Sequence, residues 1–338
     1  MNKRVITVGE IMMRLTPKDN LKISQTNELE ICFGGAEVNV AIGLQHLGVD
    51  SAVITAVPNN EIGHSAKAFL KSHDINCDSV VVKGERLGLY YYEEGCSLRN
   101  GNVIYDRKHS SITDIEIEDI DLESTFKDVE ILHISGITLG LGSGVRKFVC
   151  ELVSYAKSIG VKISVDLNYR AKLFSGYEEF AEVMKPIVED SYICFGWLNR
   201  DVNNFKVLDG SRDGITDELL INNFKYMTED LGVKYVATTL RVGSSVNYNS
   251  LTGLIYDGKN LVRSSKYEFS MISRIGGGDA FAAGVIRMLL EEGNNLEVIE
   301  FGTACAALKH SIKGDVSLSS YEEVYDTTGR KNLGSVNR

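Results

Sequence analysis

Three consecutive glycines and an acid, Gly276-Gly277-Gly278-Asp279, run directly into a helical pattern, Ala280-Phe-Ala-Ala-Gly284. Without Cβ atoms, successive amides can converge on one anion, and the dipole of the following helix adds to the attraction. Asp279 alone could be an N-cap on a glycine turn, but one cap does not need three glycines before it. An amide cradle with a carboxylate beside it is what phosphoryl transfer to an alcohol requires. The amides stabilise charge on the moving phosphoryl group, and the carboxylate orients or deprotonates the hydroxyl. A second pair, Gly34-Gly35, precedes the helical stretch Ala36–Leu47 and leaves Asn39 in its first turns. Taken alone, that pair reads equally well as a tight turn.

Other chemistry is excluded. Gly253 to Asn260 imitates a P-loop, but it lacks the Ser/Thr that would hold magnesium. It also reads as strand-turn-strand, not as a loop entering a helix. The six cysteines (32, 77, 96, 150, 194, 305) form no CxxC pair, and no Cys/His cluster has zinc spacing. They are expected to be reduced thiols of a cytoplasmic protein. His133, in an apolar strand, reads as a core residue, and Asp166 as a turn-capping acid after a strand. A net charge of −10 argues against a general nucleic-acid or anionic-membrane binder. The N-terminal stretch, broken by Glu10 and Arg14, does not read as a signal peptide, and no apolar run approaches the roughly 20 residues of a membrane span.

The elements that must position these residues alternate. Strands are expected at Val5–Val8, Ser51–Val57, Ser79–Val82, Ile131–Ile134, Lys162–Val165, Tyr192–Phe195 and Tyr235–Thr239. Helical stretches fall between them at Ala36–Leu47, Gly63–His73, Val145–Ile159 and Glu178–Val188. This rhythm predicts βαβ units, a parallel sheet and helices on both faces. An antiparallel meander is expected at Val246–Tyr248, Gly253–Tyr256 and Asn260–Arg263, then helices at Gly278–Glu291 and Leu296–Ile312. Two segments break the rhythm, Met12–Phe33 and Leu87–Arg107, the second turning at Asn100-Gly101. Both read as hairpins that together build a small β lid.

Gly34-Gly-Ala-Glu-Val-Asn39 and Arg274-Ile-Gly-Gly-Gly-Asp279, in this order, resemble the two signatures of the PfkB (ribokinase-like) sugar kinase family. The resemblance runs from Val5 to about Thr327, which suggests one kinase domain over 1–327 with a tail at 328–338. Within the family, Leu87-Gly-Leu-Tyr90, Tyr105-Asp-Arg107, Ser135-Gly-Ile-Thr138, Asp166-Leu-Asn-Tyr-Arg170 and Ala306–Asp315 resemble the 2-keto-3-deoxygluconate kinase branch. The resemblance implies a ribokinase-like αβα sandwich with a mainly parallel central sheet and a β lid. It also implies ATP as donor and transfer to the terminal hydroxyl, with Asp279 as base and the Gly276, Gly277 and Gly278 amides at the phosphoryl group.

The same resemblance places Gly34, Asn39, Tyr90, Tyr105, Arg107 and Arg170 at a sugar acid. It places Thr239, Arg241 and Gly243, with Gly276 and Gly278, at the nucleotide. The residues agree: Tyr105 and Arg107 share one face of a lid strand, and Arg170 follows the strand ending at Asp166, at the carboxyl edge where open α/β sheets bind ligands. Two arginines meeting there suit a carboxylate, although a surface salt bridge is the commoner fate of any one arginine. Lid packing is the plain alternative for the tyrosines, and the only role given to Tyr91 and Tyr92.

Two positions depart from the family pattern. Ser273 stands where an Asp is usual, and Asn199 is followed by Val202 where an Asn-x-x-Glu motif would have Glu. Magnesium is still expected with ATP phosphates, but no ligand is assigned: Asp201 or another acid could serve. Homo-oligomerisation through the lid is also expected. A kinase of a neutral sugar, such as fructose or ribose, is the rival enzyme, and it would not need two arginines. A catalytically silent sugar-acid sensor is the rival from another class.

Overall fold

The structure, a computed structural model, describes residues 3–200, 216–243 and 248–329. The strands are β1 (Arg4–Val8), β2 (Met12–Pro17), β3 (Leu29–Gly34), β4 (Ser51–Val57), β5 (Val80–Val82), β6 (Gly88–Glu93), β7 (Asn102–Asp106), β8 (Val129–Ser135), β9 (Lys162–Asp166), β10 (Ile193–Phe195), β11 (Tyr235–Gly243), β12 (Tyr248–Tyr256), β13 (Leu261–Arg263) and β14 (Tyr267–Ser270).

The larger sheet has the order β13-β12-β11-β10-β9-β8-β1-β4-β5, with β14 also on β12. From β5 across to β11 every pairing is parallel. Such strands are covered on both faces and read as apolar runs. Alternate residues accordingly enter different cores. Ile6, Leu132 and Ile163 meet the helices Ser143–Ser158 and Tyr177–Val188 through Phe148, Leu152, Phe180 and Met184. Val5, Ile131 and Ile193 meet the helices Ala36–His46, Gly277–Leu290 and Asn295–Lys309 through Leu44, Val285 and Val298. This is a ribokinase-like α/β fold.

The smaller sheet is β3-β2-β6-β7. Each expected hairpin is present, β2 with β3 and β6 with β7, and a parallel β2–β6 pairing that runs from Met12↔Gly88 to Leu15↔Tyr91 joins them. Met12, Tyr90 and Tyr92 form its small apolar face, against Val103 and Ile275.

Three differences from the sequence expectation bear on the site. β11 does not stop at Thr239 but continues to Gly243, paired with β12 from Val236↔Tyr256 to Gly243↔Asn249. Val246 and Asn247 of the expected first meander strand lie outside the described residues. The last long helix ends at Lys309, not Ile312, because residues 310–315 fold back beneath it. The helices Asp217–Lys225 and Tyr321–Thr328 and strand β14 had no expectation. The P-loop look-alike is indeed strand-turn-strand: Asp257 Oδ1 accepts from the Lys259 and Asn260 amides at 2.9 and 2.7 Å, between β12 and β13.

Candidate active site

A cavity of about 1140 Å³ opens between the lid and the carboxyl ends of the central strands. That edge is where side chains after parallel strands converge on a ligand. The described parts of its wall include β6 and β7 of the lid, the N-termini of the helices Ala36–His46 and Gly277–Leu290, the segments that follow β1, β9 and β10, Ala237–Thr239 of β11, the helix Asp217–Lys225 and Asp315.

Gly276 caps the helix Gly277–Leu290 at φ +85°, ψ 0°, a left-handed conformation that suits glycine. Asp279 is therefore the third helical residue and not the N-cap. A Cβ on Gly276 would collide with the carbonyl oxygen of Asp315, and one on Gly277 would lie 2.6 Å from His310 Nε2. A Cβ on Gly278 would meet nothing within 4 Å among the described residues beyond its own helix and chain neighbours. No protein packing explains that third glycine, whereas a phosphate drawn close to the amides would.

Asp279 lines the cavity and accepts from Asn39 Nδ2 at 2.7 Å. Burial pushes its carboxyl up to about 7. Asp166 and Glu37 add to the rise, while Asn39 and Arg170 oppose it. Asp166, at the end of β9, is raised to about 6, mainly by burial and further by Glu37, with Arg170 opposing. It accepts from the amide of Asn168 at 3.1 Å, in keeping with the turn-capping reading, yet it also lines the cavity. Glu37 Oε1 accepts from the Ser135 amide at 3.1 Å and from Ser135 Oγ and Thr138 Oγ1 at 2.6 Å each. Three carboxyl groups thus share one low-dielectric pocket, and their mutual repulsion favours a proton on the raised ones.

Tyr90, Tyr105, Arg107 and Arg170 also line the cavity. Arg107 lies just beyond β7, with its guanidinium 5.4 Å from the centre of the Tyr105 ring. It is not a free cation: Nη2 donates to buried Glu10 Oε2, and Ser110 Oγ donates to Glu10 Oε1 at 2.5 Å. Arg107 Nε is buried with no hydrogen-bond partner among the described residues. Arg170 is exposed and makes no ion pair among the described residues. The Tyr90 hydroxyl donates to Asp315 Oδ2, and Arg14 Nη1 pairs with Asp315 Oδ1. Gly34 is outside the cavity wall, and a Cβ there would lie 2.5 Å from Asp315 Oδ2. Tyr92 packs beneath Arg14, 5.7 Å away.

Thr239 lines the cavity. Arg241 and Gly243 lie further along β11, outside the wall, because that strand runs on as half of a hairpin. Asn199 lines the cavity and accepts from Trp197 Nε1 at 3.2 Å. Asp201 and Val202 lie outside the described residues. No group of three or more His, Cys, Asp or Glu side chains suited to a metal occurs among the described residues.

Several wall residues carried no role in the sequence reading: Glu10, Glu37 and Asp315. Glu37 and Asp315 sat inside the quoted motifs, but an acid in a first helical turn or after a glycine looks like a surface residue until its burial is seen. His133 is a core residue as expected: Nδ1 lies 2.9 Å from Ser164 Oγ, and burial lowers its pKa to about 3. All six cysteines are free. No helix among the described residues is long and apolar enough to cross a membrane.

Comparison with known proteins agrees with this geometry. The pfkB family carbohydrate kinase profile matches residues 2–196. A curated relative, 2-dehydro-3-deoxygalactonokinase of Haloferax volcanii, is 28% identical over 326 residues, covering 96% of each chain. The crystal structure of 2-dehydro-3-deoxygluconokinase from Thermotoga maritima superposes with a TM-score of 0.90 at 33% identity, covering 97% of this chain and 99% of that one. A putative 2-keto-3-deoxygluconate kinase from Enterococcus faecalis gives 0.90 at 28% identity, covering 99% of both. With both glycine signatures at one cavity and a profile match over more than half of its length, the chain belongs to the pfkB family of carbohydrate kinases and is a sugar kinase.

Proposed function

We propose that this kinase phosphorylates 2-keto-3-deoxygluconate at its terminal hydroxyl, with ATP as donor. The observation that carries this reading is the make-up of the cavity: a carboxyl raised to about 7 beside a glycine cradle, with Arg107 and Arg170 in the same wall. Two structural neighbours are named as kinases of this acid, and a curated relative as the kinase of 2-dehydro-3-deoxygalactonate. The two acids carry the same charge and differ in stereochemistry, so the charge argument supports the class of substrate.

In this reading Asp279 takes the proton from the attacking hydroxyl, and the Asn39 amide holds the carboxylate in place. A pKa near 7 suits a general base at neutral pH. The amides of Gly276, Gly277 and Gly278 and the helix N-terminus stabilise charge as the phosphoryl group moves. Bound ATP supplies that group; Gly276–Gly278 and Thr239 would hold it, with Arg241 and Gly243 further out. Magnesium would come with the phosphates, and no protein ligand is assigned to it. The substrate carboxylate meets Arg170, and the Arg107 guanidinium, paired with Glu10, borders the same space. Tyr90 and Tyr105 border the sugar chain, and the lid excludes water that would hydrolyse the donor. Apolar residues on the outer strands of the lid, Ile31 and Ile104, support assembly of copies through this sheet.

The Glu10–Arg107 pair favours one alternative, a neutral sugar, because it cancels one of the two charges. An ATP-consumption screen of neutral sugars, sugar acids and keto-deoxy acids decides. A clear preference for keto-deoxy acids is expected; a preference for fructose or ribose would promote the neutral-sugar reading.

A further inference from the structure

Beneath the glycine cradle lies a buried ammonium that this mechanism leaves unused. Lys309 closes the helix Asn295–Lys309, and its side chain is fully buried. Its Nζ donates to the carbonyl oxygens of Ile312 and Gly314, both at 2.9 Å. Gly314 O also accepts from Ser273 Oγ at 3.1 Å, and the Ile272 and Ser273 amides donate to His310 O. The turn held by the lysine is therefore stitched to the segment that enters the cradle. The next residue, Asp315, has its carbonyl oxygen against Gly276, and a Cβ on Gly276 would sit 3.1 Å from Lys309 Cε. The lysine stem lies directly behind the first glycine of the cradle.

Burying an ammonium is unfavourable unless acceptors and counter-charges meet it fully. Here they do so in part. Arg14 and Tyr90, not Lys309, hold the Asp315 carboxylate. Burial keeps the Lys309 pKa down at about 8, Asp315 and Asp279 raise it, and Arg14 lowers it. A methionine would span the same distance without that penalty. The plain account is that the lysine caps carbonyls at a helix C-terminus, where a cation is also favoured by the dipole. A charge placed behind an anion cradle, and shielded from solvent, acts further than that.

We propose that Lys309 is a positioning residue of the cradle, whose buried charge, fixed behind Gly276 by the 312–314 turn, adds attraction for the terminal phosphoryl group presented at Gly276–Gly278. This rests on the reading of those glycines as the phosphoryl site.

The test compares binding of a non-hydrolysable β,γ-imido analogue of ATP with binding of ADP, both with magnesium, by titration calorimetry. Wild type, Lys309→Met, Lys309→Gln and Lys309→Arg are measured, with thermal melts to verify folding. Glutamine keeps a donor for the carbonyls without the charge; arginine keeps the charge. Met and Gln are expected to weaken the ATP analogue about tenfold and ADP less than threefold, and Arg to preserve the discrimination. Glutamine binding like wild type, or equal losses for both nucleotides, would overturn the proposal and leave carbonyl capping as the role. A wild-type protein that binds neither nucleotide would instead overturn the reading of the cradle on which the proposal stands.

Discussion

Asn39 Nδ2 donates a 2.7 Å hydrogen bond to Asp279 Oδ2, joining residues 240 positions apart. Each partner follows a glycine turn that has an ordinary structural reading by itself. The bond brings the two turns to one point, at the N-termini of two helices whose side chains share a core on the same face of the sheet. It also opposes the burial that raises Asp279, so the same contact orients the carboxylate and moderates its basicity.

Replacing Asp279 with Asn should lower kcat by about 10²–10⁴-fold, the usual worth of a general base or orienting carboxylate, while nucleotide binding persists. The same change should stabilise the fold at high pH. The Asp279 pKa is raised from 3.8 to about 7 in the folded state, so its contribution to stability is full below about pH 4 and is lost as pH climbs through 7. Asn escapes that loss. At pH 8 the variant should be more stable by on the order of 1 kcal/mol or more, the advantage vanishing toward pH 4. Thermal melts across this range check it. A lower melting temperature for the variant at pH 8 would contradict the burial argument.

On the proposed reading of Asp279 as the base, its ionised carboxylate is the active form, and kcat/KM of the wild type should rise with pH through a midpoint near 7. Asn39→Leu removes a contact that lowers the Asp279 pKa, so the midpoint should move to higher pH, with a drop in the plateau rate from lost orientation. A midpoint unchanged or shifted to lower pH would show that Asn39 does not set this ionisation.

Much of this was legible in the sequence, for physical reasons. β-branched runs at βαβ spacing specified the parallel sheet, since strands buried on both faces must be apolar throughout. Asn100-Gly101 marked the lid hairpin. The glycine runs marked both helix N-termini at the cavity. What stayed hidden depends on pairing across long separations. Nothing in the sequence tells Arg107 that Glu10 is its partner, or tells Tyr90 that its hydroxyl meets Asp315, because those contacts form only once the lid is folded onto the body. Strand length at β11 was misjudged for a related reason: its last residues are held by the pairing with β12 and not by their own propensity.

The Arg14–Asp315 pair ties lid strand β2 to the turn behind the cradle, and both side chains are almost wholly buried. Breaking a buried pair from one side leaves an uncompensated charge, which costs about 3–5 kcal/mol. Arg14→Met should destabilise the protein by that order, and the double variant Arg14→Met, Asp315→Asn should recover much of the loss. Urea unfolding of the single and double variants measures it. A double variant no more stable than Arg14→Met would show that the pair's charges are not what the lid connection depends on.

Arg107 and Arg170 should differ in kind when removed. Arg170 is exposed at the cavity edge without an ion pair among the described residues, and its charge also lowers the Asp279 and Asp166 pKa values, so Arg170→Ala removes a partner for a carboxylate and raises the proposed base. Measured above the Asp279 midpoint, its effect should be largest for a substrate with a carboxylate: kcat/KM for the acid falls roughly ten- to a hundredfold, from about 1.5–3 kcal/mol for a charged hydrogen bond, while the amide analogue loses less, mainly through an upward shift of that midpoint. Lysine should not restore it, lacking the planar fork. Arg107→Ala does more. It leaves Glu10 buried, held among the described residues by Ser110, and turns a neutral pair into a negative charge facing the substrate. The acid should therefore lose more than with Arg170→Ala, and the amide should lose some activity as well, since Arg107 also packs on Tyr105. Adding Glu10→Gln to Arg107→Ala removes the stranded charge and should recover part of the acid's loss. Steady-state kcat/KM for acid and amide with the wild type and all four variants separates these outcomes. Equal losses for the two ligands in both single variants would mean that the arginines support the fold without recognising charge, and that the sugar-acid assignment has lost its physical basis.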